Sequence, residues 1–255
     1  MELIAPALPL SLLDKHEQEL EEARIIQRGM FPPETLAIGS VTMAHKVLPA
    51  AEVSGDFLDY FALTDETLGL YLGDVSGKGL PAALYAALVV GTLRGVQKTG
   101  ACPATVLGLL NKRLALRGIP CRYAATQYAL YDPAARRLQI ASGGLPGPLY
   151  LTARGCHELL LPGMPAGLFV EASYEVSTLQ LAPGDSVLFF TDGITDAMNA
   201  REEPFGPKRL VRLCAQQPEA SPGELLERIF AGVAEFSQGQ AQHDDMTAAV
   251  LHCTA

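Results

Sequence analysis

The chain has 255 residues, 49% of them hydrophobic, and its 28 acidic and 19 basic side chains give a net charge of -9. A nucleic-acid-binding protein needs a basic surface, so this balance argues against that class. The five cysteines are an odd number without a CxxC spacing, which argues against a disulfide framework and a structural zinc site. The sequence shows neither a signal sequence nor an apolar run of about 20 residues, so we expect a cytoplasmic protein without membrane contact.

The first predicted element is a helix over residues 11–30. Ser11 and Asp14 are spaced as in a capping box. Mostly apolar residues follow a 3-4-3-4-3 spacing along the helix: Leu13, His16, Leu20, Ala23, Gln27 and Met30. Two interpretations stay open, a surface helix that packs on its own domain and a short helix for dimerisation or signal transmission. We therefore predict a linker or regulatory helix over 1–33 and one domain over 34–255.

After this helix the pattern changes to strands. Alternation of apolar and polar residues predicts a strand over 41–48, followed by two strands over 56–63 and 68–75 that flank a turn at 64–66. No nucleic-acid-binding motif or internal repeat accompanies them.

Two helices come next, followed by a strand-rich stretch. Pro81 opens an apolar helix that reaches residue 97, because the fixed φ of proline suits the first helical position, and a second helix covers 103–117. The rest of the chain is predicted to contain, in order, strands over 125–132, 137–143, 148–151, 157–161, 174–181 and 185–193, helices over 206–216 and 222–237, and a strand over 246–252. This order predicts a layered α+β fold with largely antiparallel sheets, not a βαβ repeat.

Four aspartates lie at predicted strand ends or in turns, beside glycine or a second aspartate: Gly55-Asp56, Gly73-Asp74, Asp192-Gly193 and Asp244-Asp245. Mg²⁺ and Mn²⁺ prefer carboxylate oxygens, backbone carbonyls and water. The hydrophobic strands before Asp74 and Asp192 would hold both carboxylates rigidly at a sheet edge. Each pair alone is more often a turn. Four of them in one domain predict a divalent-metal hydrolase.

Competing catalytic motifs do not fit the sequence. GDVSGKG resembles a phosphate-binding P-loop, but Lys78 is followed by Gly79, and only three residues separate Gly73 from Gly77 where a P-loop has four. No serine lies in a GxSxG motif, and the five histidines form no HExxH pair. The sequence therefore offers no nucleophile of its own and no zinc-protease site.

Six segments in order along nearly the whole chain resemble the metal-dependent (PPM) phosphatases related to protein phosphatase 2C, and specifically their bacterial SpoIIE/RsbU branch. The segments are EARIIQRGMFPP, EVSGDFLDYF, GDVSGKGLPAAL, ATQYALYDPAARRLQIASGGLPGPLYL, LAPGDSVLFFTDGITDAMN and HDDMTAAVL. The resemblance implies an α+β fold with four layers, α/β/β/α, in which a protein phosphatase 2C-like β-sandwich is flanked by helices. Residues 34–255 would then be a PPM-type catalytic domain.

The resemblance also implies two Mn²⁺ or Mg²⁺ ions at one end of the sandwich. Asp74 would bridge both ions, and the backbone carbonyl of Val75 would ligate one of them. Asp56 would lie on the side of the first ion, directly or through water. Asp192 and Asp244 would hold the other ion.

The implied activity is hydrolysis of phosphoserine or phosphothreonine by attack of a water that bridges the two ions. By family analogy, the substrate would be a phosphorylated anti-sigma-factor antagonist of the STAS type in bacterial signalling. An activator protein, or a homodimer formed through residues 11–30, would regulate the activity. Two alternatives stay open: a catalytically weak binding module of the same fold, and a metal phosphohydrolase that acts on small molecules.

The sequence departs from the family pattern at several positions. Lys78 replaces a common histidine, and we expect it either to attract the phosphoprotein or to be an exposed loop lysine. Gly144 and Ser142 replace the histidine and asparagine of the family's NAGHP segment. No arginine is placed to bind phosphate. The first aspartate of the final pair, Asp244, is the preferred ligand, with Asp245 as the alternative.

Overall fold

Five α-helices and eleven β-strands make up the part of the chain that the computed structural model describes, which is residues 10–63, 67–97, 99–116, 118–217 and 219–254, with side chains from residue 15 onward. The helices are α1 (Leu10–Arg28), α2 (Gly79–Gln97), α3 (Pro103–Leu116), α4 (Gly206–Ala215) and α5 (Pro222–Ser237). The strands are β1 (Thr35–Ile38), β2 (Val41–Leu48), β3 (Phe57–Ala62), β4 (Leu68–Val75), β5 (Ala124–Asp132), β6 (Arg137–Gly143), β7 (Leu149–Thr152), β8 (Gly155–Glu158), β9 (Ser177–Gln180), β10 (Ser186–Phe190) and β11 (Met246–Cys253).

The strands form two antiparallel sheets. One sheet has six strands in the order β1-β2-β11-β10-β7-β8, and the other has five in the order β3-β4-β5-β6-β9. The last strand of the chain, β11, lies inside the six-stranded sheet and pairs with β2 from Met246 opposite Leu48 to Cys253 opposite Val41. Strands β2 and β11, which lie about 200 residues apart in the sequence, are therefore held together by one continuous ladder of hydrogen bonds.

The alternation of side chains along the strands produces three hydrophobic layers. In β4, Leu70 and Leu72 face the core between the two sheets, whereas Tyr71 and Val75 face the helices α2 and α3. The helices α4 and α5 cover the outer face of the six-stranded sheet, where Ile229 is fully buried. This arrangement confirms the predicted four-layer α/β/β/α fold.

Most predicted elements are present, with a few differences. Sequence analysis missed β1, a four-residue edge strand that is only half-buried at alternate positions. The helix predicted to begin at Pro81 begins at Gly79, so proline lies within the first turn, where its missing N–H costs no hydrogen bond. The turn predicted at 64–66 lies outside the described residues, as do the side chains of the capping box predicted at Ser11 and Asp14.

Helix α2 is more apolar than the sequence analysis allowed. Its 19 residues have a mean hydropathy of 1.4 and would suffice, by length and composition alone, to cross a membrane. The buried side chains of Tyr85, Val89 and Leu93 pack on the five-stranded sheet and on α3. This packing accounts for one face of α2, whereas Leu80, Leu84 and Leu88 remain exposed on the other.

The C-terminal end of α1 is docked onto the domain. The Gln27 side chain donates to the Ser54 carbonyl at 2.7 Å and accepts from the Ser54 N–H at 2.8 Å. Met30 packs against the core beneath α2 and α3. The last residues of the predicted helix therefore pack on their own domain, as in the surface-helix interpretation. Ile25 and Ile26 remain exposed, so contact of α1 with a partner stays a prediction.

Candidate metal centre

The four predicted aspartates lie at the same end of the two sheets. Asp56 directly precedes β3, and Asp74 is the penultimate residue of β4, both in the five-stranded sheet. In the six-stranded sheet, Asp192 opens a short 3₁₀ turn after β10, and Asp244 lies two residues before β11. In an antiparallel pair, the start of one strand meets the end of its neighbour. Each sheet therefore contributes two aspartates to one edge.

Asp56 is the most deeply buried of the four, with 2% of its surface exposed. Its Oδ2 accepts a hydrogen bond from the Thr191 hydroxyl at 2.9 Å, and its N–H donates to the Ser54 hydroxyl at 2.9 Å. Loss of solvation raises the pKa of Asp56 well above its usual range, and repulsion by the Asp74 carboxylate adds to the shift. The Thr191 contact crosses from one sheet to the other, so it fixes Asp56 between them.

Asp74 is surrounded by the other carboxylates. Burial raises the pKa of Asp74 to about 7, and the negative charges of Asp192, Asp244 and Asp245 contribute to the increase. These interactions come from the opposite sheet, so the fold brings together residues that are more than 100 positions apart in the chain. Asp74 lies on a rigid central strand whose buried neighbours leave it little freedom to move away.

Asp192 is the most exposed of the four aspartates, and it has an acidic neighbour, Asp196, that was not predicted. Loss of solvation raises the pKa of Asp192, and the carboxylates of Asp196 and Asp244 add to the shift. The N–H of Asp196 donates to the Asp192 carbonyl at 2.8 Å, which closes one helical turn between them. The four-residue spacing in TDGITD is the signal that would have placed both on one side of a turn.

The adjacent Asp244 and Asp245 have different environments. The Oδ1 and Oδ2 atoms of Asp245 accept the backbone N–H groups of Ala50 and Gly55, both at 2.7 Å. Asp245 thereby ties the segment before β3 to the start of β11. Asp244 lies nearer the surface, and its Oδ2 is 3.1 Å from the Lys78 Nζ. Asp244 accepts the N–H of its neighbour Asp245 at 3.0 Å on Oδ1 and faces only the exposed Lys78 on Oδ2. Asp245 is buried and both of its oxygens hold backbone N–H groups of a distant segment, so we expect the more accessible Asp244 to be the metal ligand.

Lys78 is exposed, yet its ammonium group is directed at the acidic cluster. Besides Asp244, it contacts the carbonyl of His243, to which it donates. The residues on either side, Gly77 at φ +95° and Gly79 at φ +68°, adopt the left-handed conformation that favours glycine. The tight passage from β4 into α2 therefore directs Lys78 toward the metal centre.

Comparison with protein families identifies the family of the chain. A family model described as Stage II sporulation protein E (SpoIIE) matches residues 64–254, which is most of the chain. The chain belongs to the SpoIIE family. The predicted SpoIIE/RsbU branch of the metal-dependent phosphatases is therefore confirmed.

Curated relatives of this SpoIIE-family chain match across nearly its whole length. The phosphoserine phosphatase RsbU of Bacillus subtilis is 26% identical over 242 residues, which cover 92% of this chain and 70% of RsbU. Protein IcfG of Synechocystis sp. is 26% identical over 257 residues, which cover 90% of this chain and 40% of IcfG. The chain thus spans less than half the length of IcfG.

Solved structures show the same fold. The SiaA-PP2C domain of Pseudomonas aeruginosa superposes with a TM-score of 0.83 at 22% identity, covering 95% of this chain and 98% of that chain. The PP2C domain of SpoIIE from Bacillus subtilis superposes with a TM-score of 0.74 at 19% identity, covering 85% and 64%. At these identities the likeness concerns the fold, and it supports the phosphatase 2C-like sandwich.

The donors of the SpoIIE-family site fit a hard divalent cation. Within the described ranges, no three His, Cys, Asp or Glu side chains stand together as ready ligands of one ion. Mg²⁺ in proteins keeps several waters and takes one or two carboxylates, so it does not need such a group. None of the ion pairs in the described part of the chain reaches Asp56 or Asp74. A Cβ atom at Gly55 would lie 3.2 Å from the Asp74 Oδ1, so glycine there keeps space beside this carboxylate open.

Two departures from the family pattern lie at the end of β6 and just beyond it. Gly144 has φ +93°, and a Cβ atom there would come within 2.6 Å of the Pro165 ring. A histidine would therefore be strained at this position in this chain. The Ser142 hydroxyl is buried and finds no hydrogen-bond partner among the described residues. The asparagine of the resembled segment is thus replaced by a buried serine hydroxyl, and its histidine by a residue without a side chain.

Proposed function

We propose that this SpoIIE-family chain is a Mn²⁺- or Mg²⁺-dependent serine/threonine phosphoprotein phosphatase of bacterial signalling. The observation that carries the proposal is the convergence of four aspartates from two sheets, with the pKa values of Asp56 and Asp74 raised by burial and by neighbouring carboxylates. Burying several carboxylates side by side costs free energy, and such clusters are typical of functional sites. The relative RsbU is named a phosphoserine phosphatase, which supports this substrate class.

In this proposal, Asp74 would contact both ions and the remaining donors would divide between them. Asp56 would lie on the side of the first ion, Asp192 and Asp244 would hold the second, and the Val75 carbonyl would ligate one of the two. When bound, the ions lower the pKa of a water molecule and neutralise the charge on the phosphoryl oxygens.

The chain's own residues hold these donors in place. The Thr191 hydroxyl donates to Asp56 and accepts the Thr247 N–H at 3.0 Å, which locks the buried carboxylate between two strands. Asp245 fixes the backbone at Gly55, one residue before Asp56. Such support keeps ligand positions rigid, as catalysis at a metal centre requires.

The proposed substrate is a small phosphorylated anti-sigma-factor antagonist of the STAS type. Family analogy supports it, since the curated relatives include two Bacillus subtilis phosphoserine phosphatases, RsbU and RsbP. A solved Mycobacterium tuberculosis chain that contains RsbU and RsbW domains also has this fold, with a TM-score of 0.74. A substrate of this kind places the enzyme in the cytoplasm.

Turnover assays with purified protein test the proposal. We expect hydrolysis of a phosphoserine STAS protein and of p-nitrophenyl phosphate in the presence of Mn²⁺, and no hydrolysis after removal of the metal with EDTA. Binding of the phosphoprotein without turnover would instead indicate a binding module. Turnover of small phosphate esters alone would indicate a small-molecule phosphohydrolase.

Removal of residues 11–30 tests the proposed regulation through α1. We expect the deletion to leave the phosphatase fold intact, because no strand is lost, and to change basal activity or oligomeric state. Loss of the Gln27 contacts to Ser54 is one physical reason, since the Ser54 hydroxyl in turn holds the N–H of Asp56. Circular dichroism, turnover and gel filtration provide the measurement.

A substitution separates the two contributions of α1. Gln27→Ala removes the docking contacts and retains the exposed residues Ile25 and Ile26. Equal effects of substitution and deletion would locate the effect at the docked end. Activity and gel-filtration behaviour that both stay at the level of the full chain after deletion would contradict the regulatory role.

A further inference from the structure

A cavity of about 390 Å³ lies beside the metal centre. It opens between the C-terminal part of α5 and the segment 239–245 that leads into β11. Its wall is mainly apolar and includes Leu48, Ala197, Met198, Phe230, Val233 and Met246. This volume is at the lower end of the range of small-ligand pockets, so the cavity has room for a large apolar side chain but not for a folded element.

The cavity and the metal centre share a wall. Asp244 lines the cavity, and so does Gly193, which directly follows Asp192. The segment that carries Asp244 is held in place by Gln242, whose Nε2 donates to the Leu48 carbonyl at 2.8 Å and to the Asp244 carbonyl at 2.7 Å. The residues that neighbour a phosphoserine bound at the centre would therefore be within reach of this cavity.

The lining favours an uncharged occupant. Two carboxylates, Asp196 and Asp244, stand in the wall and would repel an acidic side chain. Most of the remaining surface is apolar and gains free energy when it buries aliphatic or aromatic groups. A phosphoserine peptide presents such groups next to its phosphate, whereas free phosphoserine does not.

We propose that this cavity binds an apolar side chain located within a few residues of the phosphoserine of the protein substrate. The inference rests on the proposed phosphatase function and adds a determinant of substrate choice to it. The cavity and the centre are adjacent because Asp244, which would help to hold a metal ion, also forms part of the cavity rim. The enzyme would thus recognise a side chain beside the phosphoserine as well as the phosphate itself.

Synthetic phosphoserine peptides test the proposal. Each pair of peptides carries either leucine or aspartate at one flanking position, and the pairs cover the three positions before and the three positions after the phosphoserine. With Mn²⁺, we expect kcat/KM to be about 10- to 100-fold higher for leucine at one or more of these positions. Ala234→Phe fills the cavity from its rim, because Ala234 lines it and is exposed. Ala231→Phe, at an exposed position of α5 outside the cavity lining, is the matched control.

The Ala234→Phe variant should reduce the preference for leucine to less than about threefold, while Ala231→Phe retains it. Both variants should hydrolyse free phosphoserine, an ester without an apolar neighbouring group, like the unmodified protein. Turnover of that ester without any flanking preference would overturn the cavity proposal alone. An equal loss of ester turnover and peptide turnover in Ala234→Phe would also overturn it. Absence of all turnover by the unmodified protein would overturn the phosphatase proposal and this inference together.

Discussion

Replacement of Asp74 by asparagine is expected to reduce turnover of a phosphoserine substrate by at least about 10³-fold, or about 4 kcal/mol of transition-state stabilisation. Asp74 interacts with Asp56 of its own sheet and with Asp192 and Asp244 of the other, so its loss should weaken the binding of both proposed ions. The asparagine has the same shape, so the fold should persist. Turnover at saturating Mn²⁺ and the circular dichroism spectrum provide the measurement.

A matched control comes from the same sheet. Asp132 lies at the far end of β5, in the turn before β6, where it pairs with Arg137 at 3.5 Å. Asp132→Asn should leave turnover unchanged, because that ion pair is exposed and remote from the centre. Asp192→Asn should reduce turnover, as Asp74→Asn does. Full activity of Asp74→Asn would remove Asp74 from the proposed mechanism.

The same substitution is expected to stabilise the metal-free protein at neutral pH. Folding raises the pKa of Asp74 from 3.8 to about 7, so the folded state holds its proton more tightly than the unfolded state does. The stability from this group is present below pH 3.8 and is lost as the pH rises through about 7. Asparagine carries no charge and avoids this loss. We expect the variant to be more stable than the unmodified protein at pH 8 by about 2 kcal/mol, after allowance for the partial exposure of Asp74.

Urea unfolding in the presence of EDTA, at a series of pH values between 4.5 and 8, measures this effect. The stability difference should increase with pH and level off above about pH 7. Other groups, such as the buried His45 with its lowered pKa, affect both proteins equally and cancel. Added Mn²⁺ should reverse the order, because a cation that binds the folded state stabilises the protein with the complete site. A difference that does not change with pH would show that folding does not raise the pKa of Asp74.

Local sequence features predicted much of the metal centre. The glycine beside each of Asp56, Asp74 and Asp192, and the hydrophobic strand before two of them, identified three strand-end carboxylates. The segment LGLYLGDV, which follows a predicted turn, gave β4 within its true limits. These signals are local, so they are visible in a single chain. Family resemblance supplied what they could not, namely that the four positions meet.

Other features depend on contacts between distant segments and were not predictable. The choice between Asp244 and Asp245 rests on which carboxylate receives the N–H groups of Ala50 and Gly55, almost 200 residues earlier. The hydrogen bond of Thr191 to Asp56 likewise joins two sheets. Edge strand β1 was missed because four residues with partial burial carry little periodic signal.

The apolar cavity belongs to the same class of features. Its wall combines β2, the turn after Asp192, α5 and the segment before β11, which approach one another only in the folded domain. In the sequence, Phe230 and Val233 are ordinary core positions of an amphipathic helix. They also line the cavity because the segment 239–245 does not cover this part of α5.

Anomalous diffraction from crystals grown with Mn²⁺ tests the central claim most directly. The account predicts two manganese peaks at the shared end of the sheets, both within coordination distance of Asp74, one of them also next to Asp192 and Asp244. Crystals of the Asp74→Asn variant should lose at least one peak. Manganese bound elsewhere in the unmodified protein, with no peak in contact with Asp74, would contradict the account.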